Sequence, residues 1–231
     1  MFDRHLQPLQ KRLLDPPADW LAKRGISADM VTLSGFAIGV CAVPLLVFGH
    51  PTTALLAILA NRILDGLDGA VARRTNPTDR GAFLDIALDF VFYALVPFGF
   101  ALADPEANAL AAAMLLLAFV GTGSSFLAFS TIAGRRGISS TNYPAKGIYY
   151  LGGLTEGAET IAVFVAMCIW PSVFPAIAFG FAVLCTVTTI TRWWSGWHAF
   201  ARSDRQAGIT TRPKAAESQH PPRETHIQPT R

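Results

Sequence analysis

Four carboxylates, Asp65, Asp68, Asp85 and Asp89, stand in one stretch, DGLDGAVARRTNPTDRGAFLDIALD, with apolar sequence on both sides. A charged side chain well inside a membrane costs from about 2.5 kcal/mol upward, so several at regular spacing require a cation or a wet cavity. Asp65 and Asp68 are three apart and Asp85 and Asp89 four apart, so each pair shares one face of a helix. With one helix ending near Ala72 and the next starting near Gly81, the pairs fall on antiparallel neighbours. At about 1.5 Å rise per residue, Asp65 and Asp89 lie roughly 12 Å from the shared end, and Asp68 and Asp85 roughly 7 Å. All-oxygen ligands at one depth suit one or two hard divalent cations, Mg²⁺ or Mn²⁺. They suit zinc poorly, because no Cys or His joins them. The plain alternative is a set of carboxylates paired with Arg62, Arg73, Arg74 and Arg80. The cluster reads as short of neighbouring cations able to offset its charge.

The elements that must hold these groups are helices in a bilayer. The chain has 231 residues, 52% of them hydrophobic and only 15% charged, with a mean hydropathy of +0.37. That is an all-α, polytopic membrane protein rather than a soluble domain. The net charge of +3 is spread over segment ends, which gives no support for nucleic-acid binding. Cys41, Cys168 and Cys185 fall singly in apolar segments and read as packing residues. No histidine has a metal partner at suitable spacing.

Residues 1–29 read as an N-terminal cytoplasmic segment with an interfacial amphipathic helix, in which Leu6, Leu9, Leu13 and Leu14 recur among Arg4, Lys11 and Arg12 until Pro16 and Pro17 break the pattern. Residues 30–200 read as a membrane domain of six transmembrane helices: Met30 to Phe48, Thr53 to Ala72, Gly81 to Leu102, Ala107 to Ile132, Ile148 to Trp170 and Pro175 to Trp193. Ser27 and Asp29 can cap the first. Small residues at Gly121, Gly123, Ser124 and Ser125 interrupt the fourth and offer a face for close approach and homodimer formation. Residues 201–231 read as a disordered cytoplasmic tail. Lys and Arg concentrate in the N-terminal segment, the 73–80 and 133–147 loops and the tail, which puts both termini and the acidic cluster on the cytoplasmic side of a bacterial-type inner or plasma membrane. A divalent-metal site there can hold a diphosphate while lipid tails stay in the bilayer. Gly69 allows close backbone approach and Arg73 offers a fork for phosphate, although helix packing and anchoring explain each of them alone.

The motif formed by Asp65, Asp68-Gly69, Ala72-Arg73, Gly81, Asp85 and Asp89 resembles the signature of the CDP-alcohol phosphatidyltransferases. The resemblance covers residues 25 to 200 and is strongest over 65 to 89; the loop from Arg74 to Arg80 is slightly shorter than the family's usual form. It implies transfer of a substituted phosphate from a CDP-alcohol, such as CDP-diacylglycerol, to an alcohol acceptor, with release of CMP. It further implies two metal ions on Asp65, Asp68, Asp85 and Asp89, with Asp89 as general base. Asp29, Thr32, Gly69, Arg73 and Thr78 would contact the CDP-bearing lipid donor. On residue type alone, Asp29 and Thr32 are equally well explained as helix caps.

Two rival readings are an intramembrane prenyltransferase, whose acidic motif Asn61, Asp65 and Asp68 resemble, and a metal transporter. The first does not need Gly69, Ala72 and Arg73, and the second would place its carboxylates near the midplane in broken helices. For the acceptor, Glu156 and Glu159 share a face near the cytosolic end of the fifth helix and suit a hydroxylated or amine-bearing molecule. Packing is the competing explanation for that pair. Arg192, with no other evident partner, joins Arg135 and Lys146 at similar depth and suits a phosphorylated acceptor such as glycerol 3-phosphate, which stands slightly ahead. The resemblance implies that inositol phosphate is not the acceptor, because the family members that use it carry arginines around the position of Glu159, where Ala158 and Thr160 stand here.

Overall fold

The structure, a computed structural model, describes residues 3–136 and 154–210, with side chains from 12 to 136 and from 154 to 201. The described residues contain helices and no strand: α1 (Asp3–Lys23), α2 (Ala28–Val40), α3 (Ala42–Val47), α4 (Pro51–Ala72), α5 (Asp79–Ala103), α6 (Pro105–Arg135), α7 (Gly157–Ile169), a 3₁₀ turn at Pro171–Val173, and α8 (Phe174–Thr210). The chain falls into two compact units, Met1–Trp193 and Trp194–Arg231. Within the second, the rings of Trp194 and His198 lie 4.3 Å apart, centre to centre.

Four segments are long and apolar enough to cross a bilayer: Ala28–Val47, Asp79–Ala103, Pro105–Arg135 and Pro171–Ala201. Their outward faces are apolar, as Leu110, Met114 and Leu117 on α6 and Val183, Val187 and Ile190 on α8 illustrate. That inverts the soluble pattern and suits a lipid solvent. The expected second helix is present as α4, 22 residues long, but Arg62, Asp65 and Asp68 lower its apolar character. The expected fifth is shorter than predicted. Residues 154–156 are not helical, α7 has only 13 residues, and the part expected from Ile148 lies outside the described residues.

Local chemistry explains where the helices start and stop. Ser27 Oγ accepts from Met30 N–H and opens α2. Pro44 has no N–H to offer the Val40 carbonyl, and the chain tightens at Cys41, whose N–H bonds Ile38 O, separating α2 from α3 within one span. Thr78 Oγ1 accepts from Gly81 N–H at 3.0 Å to open α5, and Asp104 does the same for α6 through Ala107 N–H. Three expectations are corrected. Pro16 and Pro17 do not break α1: they sit on its exposed side, where the carbonyls they leave unbonded can meet solvent. The small residues of α6 do not interrupt it, because the backbone ladder continues through them. Residues 201–210, expected in the tail, belong to α8, and 211–231 lie outside the described residues.

Two apolar clusters flank the polar middle of α4. Ala54 and Ile58 join the large core with Leu46, Phe92, Val96, Phe100, Leu115, Phe164 and Phe174. Leu67, Ala70 and Val71 join a smaller one with Ala18 of α1 and Val31 of α2. Arg74 reinforces the second cluster by pairing with Asp15 at 2.8 Å and with Asp19, which together raise the guanidinium pKa above its ordinary value.

Glycines set the helix spacing. A Cβ on Gly35 would lie 2.9 Å from Leu64 Cβ of α4, and one on Gly39 2.7 Å from the Phe92 ring of α5. On α6, Gly121 and Gly123 are filled by Thr189 and Phe90 of the same chain, at 3.1 and 2.6 Å. The small-residue face expected to serve a homodimer is therefore used within the protomer. Gly39→Val should overpack the α2–α5 contact and cost about 1–3 kcal/mol, read as a lower melting temperature in detergent. Gly180→Ala, where a Cβ meets nothing within 4 Å, should not lower that temperature and should raise it slightly, since Ala favours a helix interior over Gly.

Candidate active site

The carboxylates face one another across a gap. α2 and α3 each pack against both α4 and α5, whereas α4 and α5 approach each other only marginally. They are thus not the packed antiparallel neighbours that spacing suggested. Side chains from both helices project into the space between them, which Thr32, Gly35 and Phe36 of α2 close on one side. Asn61 fixes this arrangement, since its amide donates to the Gly35 carbonyl at 3.0 Å from a buried position.

Asp65, Asp68 and Asp85 each direct one oxygen to a common point, the three oxygens lying within 4.8 Å of one another. All-oxygen donors at that spacing fit a hard divalent cation. Asp89 lines the same pocket but is not in the converging set, because Arg62 Nη2 holds its Oδ1 at 2.7 Å. The expectation that the cluster lacks a neighbouring cation is corrected by the same residue. Arg62 Nη1 lies 3.5 Å from Asp65 Oδ2 and donates to the Tyr93 hydroxyl at 3.3 Å, while Nε donates to Asn61 Oδ1 at 2.8 Å. The guanidinium also lies over the ring of Phe92, 4.4 Å from its centre.

Arg62 and Asn61, named in the sequence only under the alternatives of plain ion pairing and a prenyltransferase motif, are the site residues that the favoured reading left out. The available signal was an arginine inside an apolar run, one turn before Asp65 on the same face. Gly35 and Gly39, four apart on α2, were a second overlooked signal for close helix approach.

The residues expected around a donor divide in two. Thr32 reaches the acidic cluster, its Oγ1 donating to Asp68 Oδ2 at 2.5 Å and also contacting the Ala28 carbonyl. The others gather near the α4–α5 turn. Asp29 pairs with Arg80 at 2.6 Å, Thr78 caps α5, and Gly81 is tight against both, with a Cβ position 3.0 Å from Asp29 Oδ1 and 3.2 Å from Thr78 Oγ1. Arg73 is the exposed C-cap residue that follows α4, and its guanidinium lies 3.4 Å from a Cβ placed on Gly69. Since Arg80 is 83% exposed, its pair with Asp29 contributes little stability and leaves Asp29 able to change partner.

The acceptor expectations fare differently. Glu156 is the N-cap of α7 and Glu159 its third residue, and the two form a reciprocal capping box in which Glu156 N–H donates to Glu159 Oε2 at 3.1 Å. Local capping, rather than a shared helix face, accounts for the pair. Arg192 is buried and its Nη1 donates to the Thr122 carbonyl of α6 at 3.1 Å, so the argument that it had no other partner does not hold. Arg135 is exposed in the last turn of α6, and Lys146 lies outside the described residues.

Comparison with known proteins places the chain in a family. Residues 25–201 match the CDP-alcohol phosphatidyltransferase family. The chain is 56% identical over 206 residues to the inner membrane protein YnjF of Escherichia coli K12, covering 89% of this chain and all of that one. It is 26% identical over 191 residues to an archaetidylinositol phosphate synthase of Pyrococcus horikoshii, with 80% and 90% of the two chains covered. Among solved structures, the phosphatidylinositol phosphate synthase of Mycobacterium tuberculosis with CDP-DAG bound superposes with a TM-score of 0.60 at 26% identity, covering 80% of this chain and 94% of that one. The same enzyme with manganese and citrate gives 0.64 at 24% identity, over 80% and 88%, which speaks to the fold. The chain belongs to the CDP-alcohol phosphatidyltransferase family and is a membrane-embedded transferase of phospholipid synthesis. That membership sets aside the prenyltransferase and transporter readings.

Capping and acceptor binding by Glu159 separate experimentally. Glu159→Gln keeps an oxygen for the Glu156 N–H and should preserve stability, whereas Glu159→Ala should lose about 1 kcal/mol. Acceptor KM should be unchanged in both, measured beside the melting temperature; a raised KM in the Gln variant would return Glu159 to the acceptor site.

Proposed function

We propose that the chain transfers a phosphatidyl group from CDP-diacylglycerol to an alcohol acceptor and releases CMP, with the reaction centred on the pocket between α4 and α5. The observation that carries this reading is the convergence of three carboxylate oxygens within 4.8 Å in a chain of this family. A relative with CDP-DAG bound supports the donor, and the all-oxygen donor set supports the cation class. Divalent cations there would neutralise the diphosphate and the departing CMP. Asp65, Asp68 and Asp85 hold the first Mg²⁺ or Mn²⁺, and Asp89 completes the set for a second. Asp89 is also the base that takes the acceptor's proton, for which its place in the pocket lining gives reach. Asp29, Thr32, Gly69, Arg73 and Thr78 bind the CDP moiety. Thr32 does so while its hydroxyl orients Asp68.

In this reading α2–α3, α4, α5, α6, the segment 148–170 that includes α7, and α8 cross the bilayer. Both termini and the pocket face the cytoplasm of a bacterial cell, and a relative named as an inner membrane protein supports that location. Residues 1–29 and 201–231 flank a catalytic domain over 30–200. The homodimer rests on the family resemblance alone, since Gly121 and Gly123 pack within the chain. Glycerol 3-phosphate no longer draws support from Arg192. Relatives named for inositol phosphate make that acceptor the first to compare with it.

The test is CMP release from CDP-diacylglycerol by purified protein with a panel of acceptor alcohols. Chelation should abolish release and Mg²⁺ or Mn²⁺ should restore it; Asp68→Asn should need more metal for the same rescue. Asp89→Asn should lower kcat by roughly 10²–10⁴-fold at saturating metal. Full activity in excess chelator would end this reading.

A further inference from the structure

The cation inside the cluster has a consequence for how the site fills. Arg62 is held on every edge: by Asp89, Asp65, Tyr93 and Asn61 through its nitrogens, and by the Phe92 ring against its plane. Its planar fork is thereby fixed between α4 and α5, unlike a flexible ammonium. One divalent ion finds oxygens of Asp65, Asp68 and Asp85 without drawing on Asp89, the carboxylate that Arg62 holds at the shorter distance. A second ion needs Asp89, whose Oδ1 Arg62 already holds at 2.7 Å.

Charge points the same way. Metal ligands must be ionised, so the carboxylates at 65, 68, 85 and 89 with the guanidinium at 62 carry three net negative charges. One divalent ion leaves one net negative charge. A second alone would leave the pocket net positive in an apolar bundle, at close range to Arg62. A diphosphate bearing two negative charges returns it to net negative.

We propose that Arg62 makes occupation by a second divalent cation conditional on the donor's diphosphate: the site takes one ion when empty of donor and two once a CDP-alcohol is bound. The inference rests on the metal assignment proposed above. Arg62 is a positioning residue, acting through Asp89 and Asp65.

The experiment is Mn²⁺ titration of the full chain in detergent, followed by calorimetry and electron paramagnetic resonance, with and without CDP-diacylglycerol and with no acceptor present. Without donor, one ion should bind tightly and a second about ten-thousandfold more weakly, the size of the repulsion between the Arg62 unit charge and a divalent ion at roughly 6 Å and an effective dielectric near 20. With donor, two should bind and give a spin-coupled signal. Arg62→Met should bind two in either condition. Two ions of similar affinity in the donor-free wild type, a single ion with donor, or a donor requirement retained in Arg62→Met would each overturn the proposal. The two wild-type titrations decide it even where the variant fails to fold. Absence of any Mn²⁺ binding that Asp68→Asn removes is a different failure: it overturns the metal assignment and this inference with it.

Discussion

Like charges gathered in a low-dielectric bundle repel strongly, and the arrangement around the pocket answers that constraint. The carboxylates at 65, 68, 85 and 89 come from two helices that stay apart, and the guanidinium of Arg62 spans the space between them. Without a cation between them, the two helices would carry facing negative charge where water screens little. Arg62 therefore joins α4 to α5 where direct helix packing does not. Its aromatic bed of Phe92 and Tyr93 ties the polar layer to the main core.

The separation of α4 from α5 in turn depends on α2. Its glycine face at Gly35 and Gly39 admits Leu64 on one side and Phe92 on the other, so α2 lies close to both without wedging them wider. A hydrogen bond from Asn61 to the Gly35 carbonyl sets the depth of that contact. In lipid no hydrophobic difference drives helices together, so close packing and buried hydrogen bonds carry more of the association. The pocket is consequently part of the packing of α2, α4 and α5 and not a feature added to its surface.

Rigidity is unevenly distributed around this site. Arg62, Asn61 and Asp68 lie in the packed interior, each fixed by a named partner. Asp29, Arg73, Thr78 and Arg80 lie at helix ends, where exposed pairs are weak. Under the proposed function that division suits the site: metal ligands would need fixed geometry, and groups that meet a nucleotide would need to exchange partners.

Much was legible in the amino-acid sequence because it depends on neighbours along one helix. The three- and four-residue spacings put Asp65 with Asp68 and Asp85 with Asp89, apolar runs declared a membrane bundle, and the motif identified the family; capping by Ser27 was equally local. What only the tertiary structure decided are the distances between helices. It brought Asp65, Asp68 and Asp85 together while Arg62 took Asp89, engaged Arg192 with α6, and turned the α6 glycines inward against Phe90 and Thr189. It also made a cap of Glu156 and Glu159, because α7 starts at Gly157 rather than a few turns earlier. The physical reason is common to all of these. Side-chain direction along a helix follows from its 3.6-residue period, whereas the gap between two helices follows from the sizes of side chains distant in sequence, which no local pattern encodes.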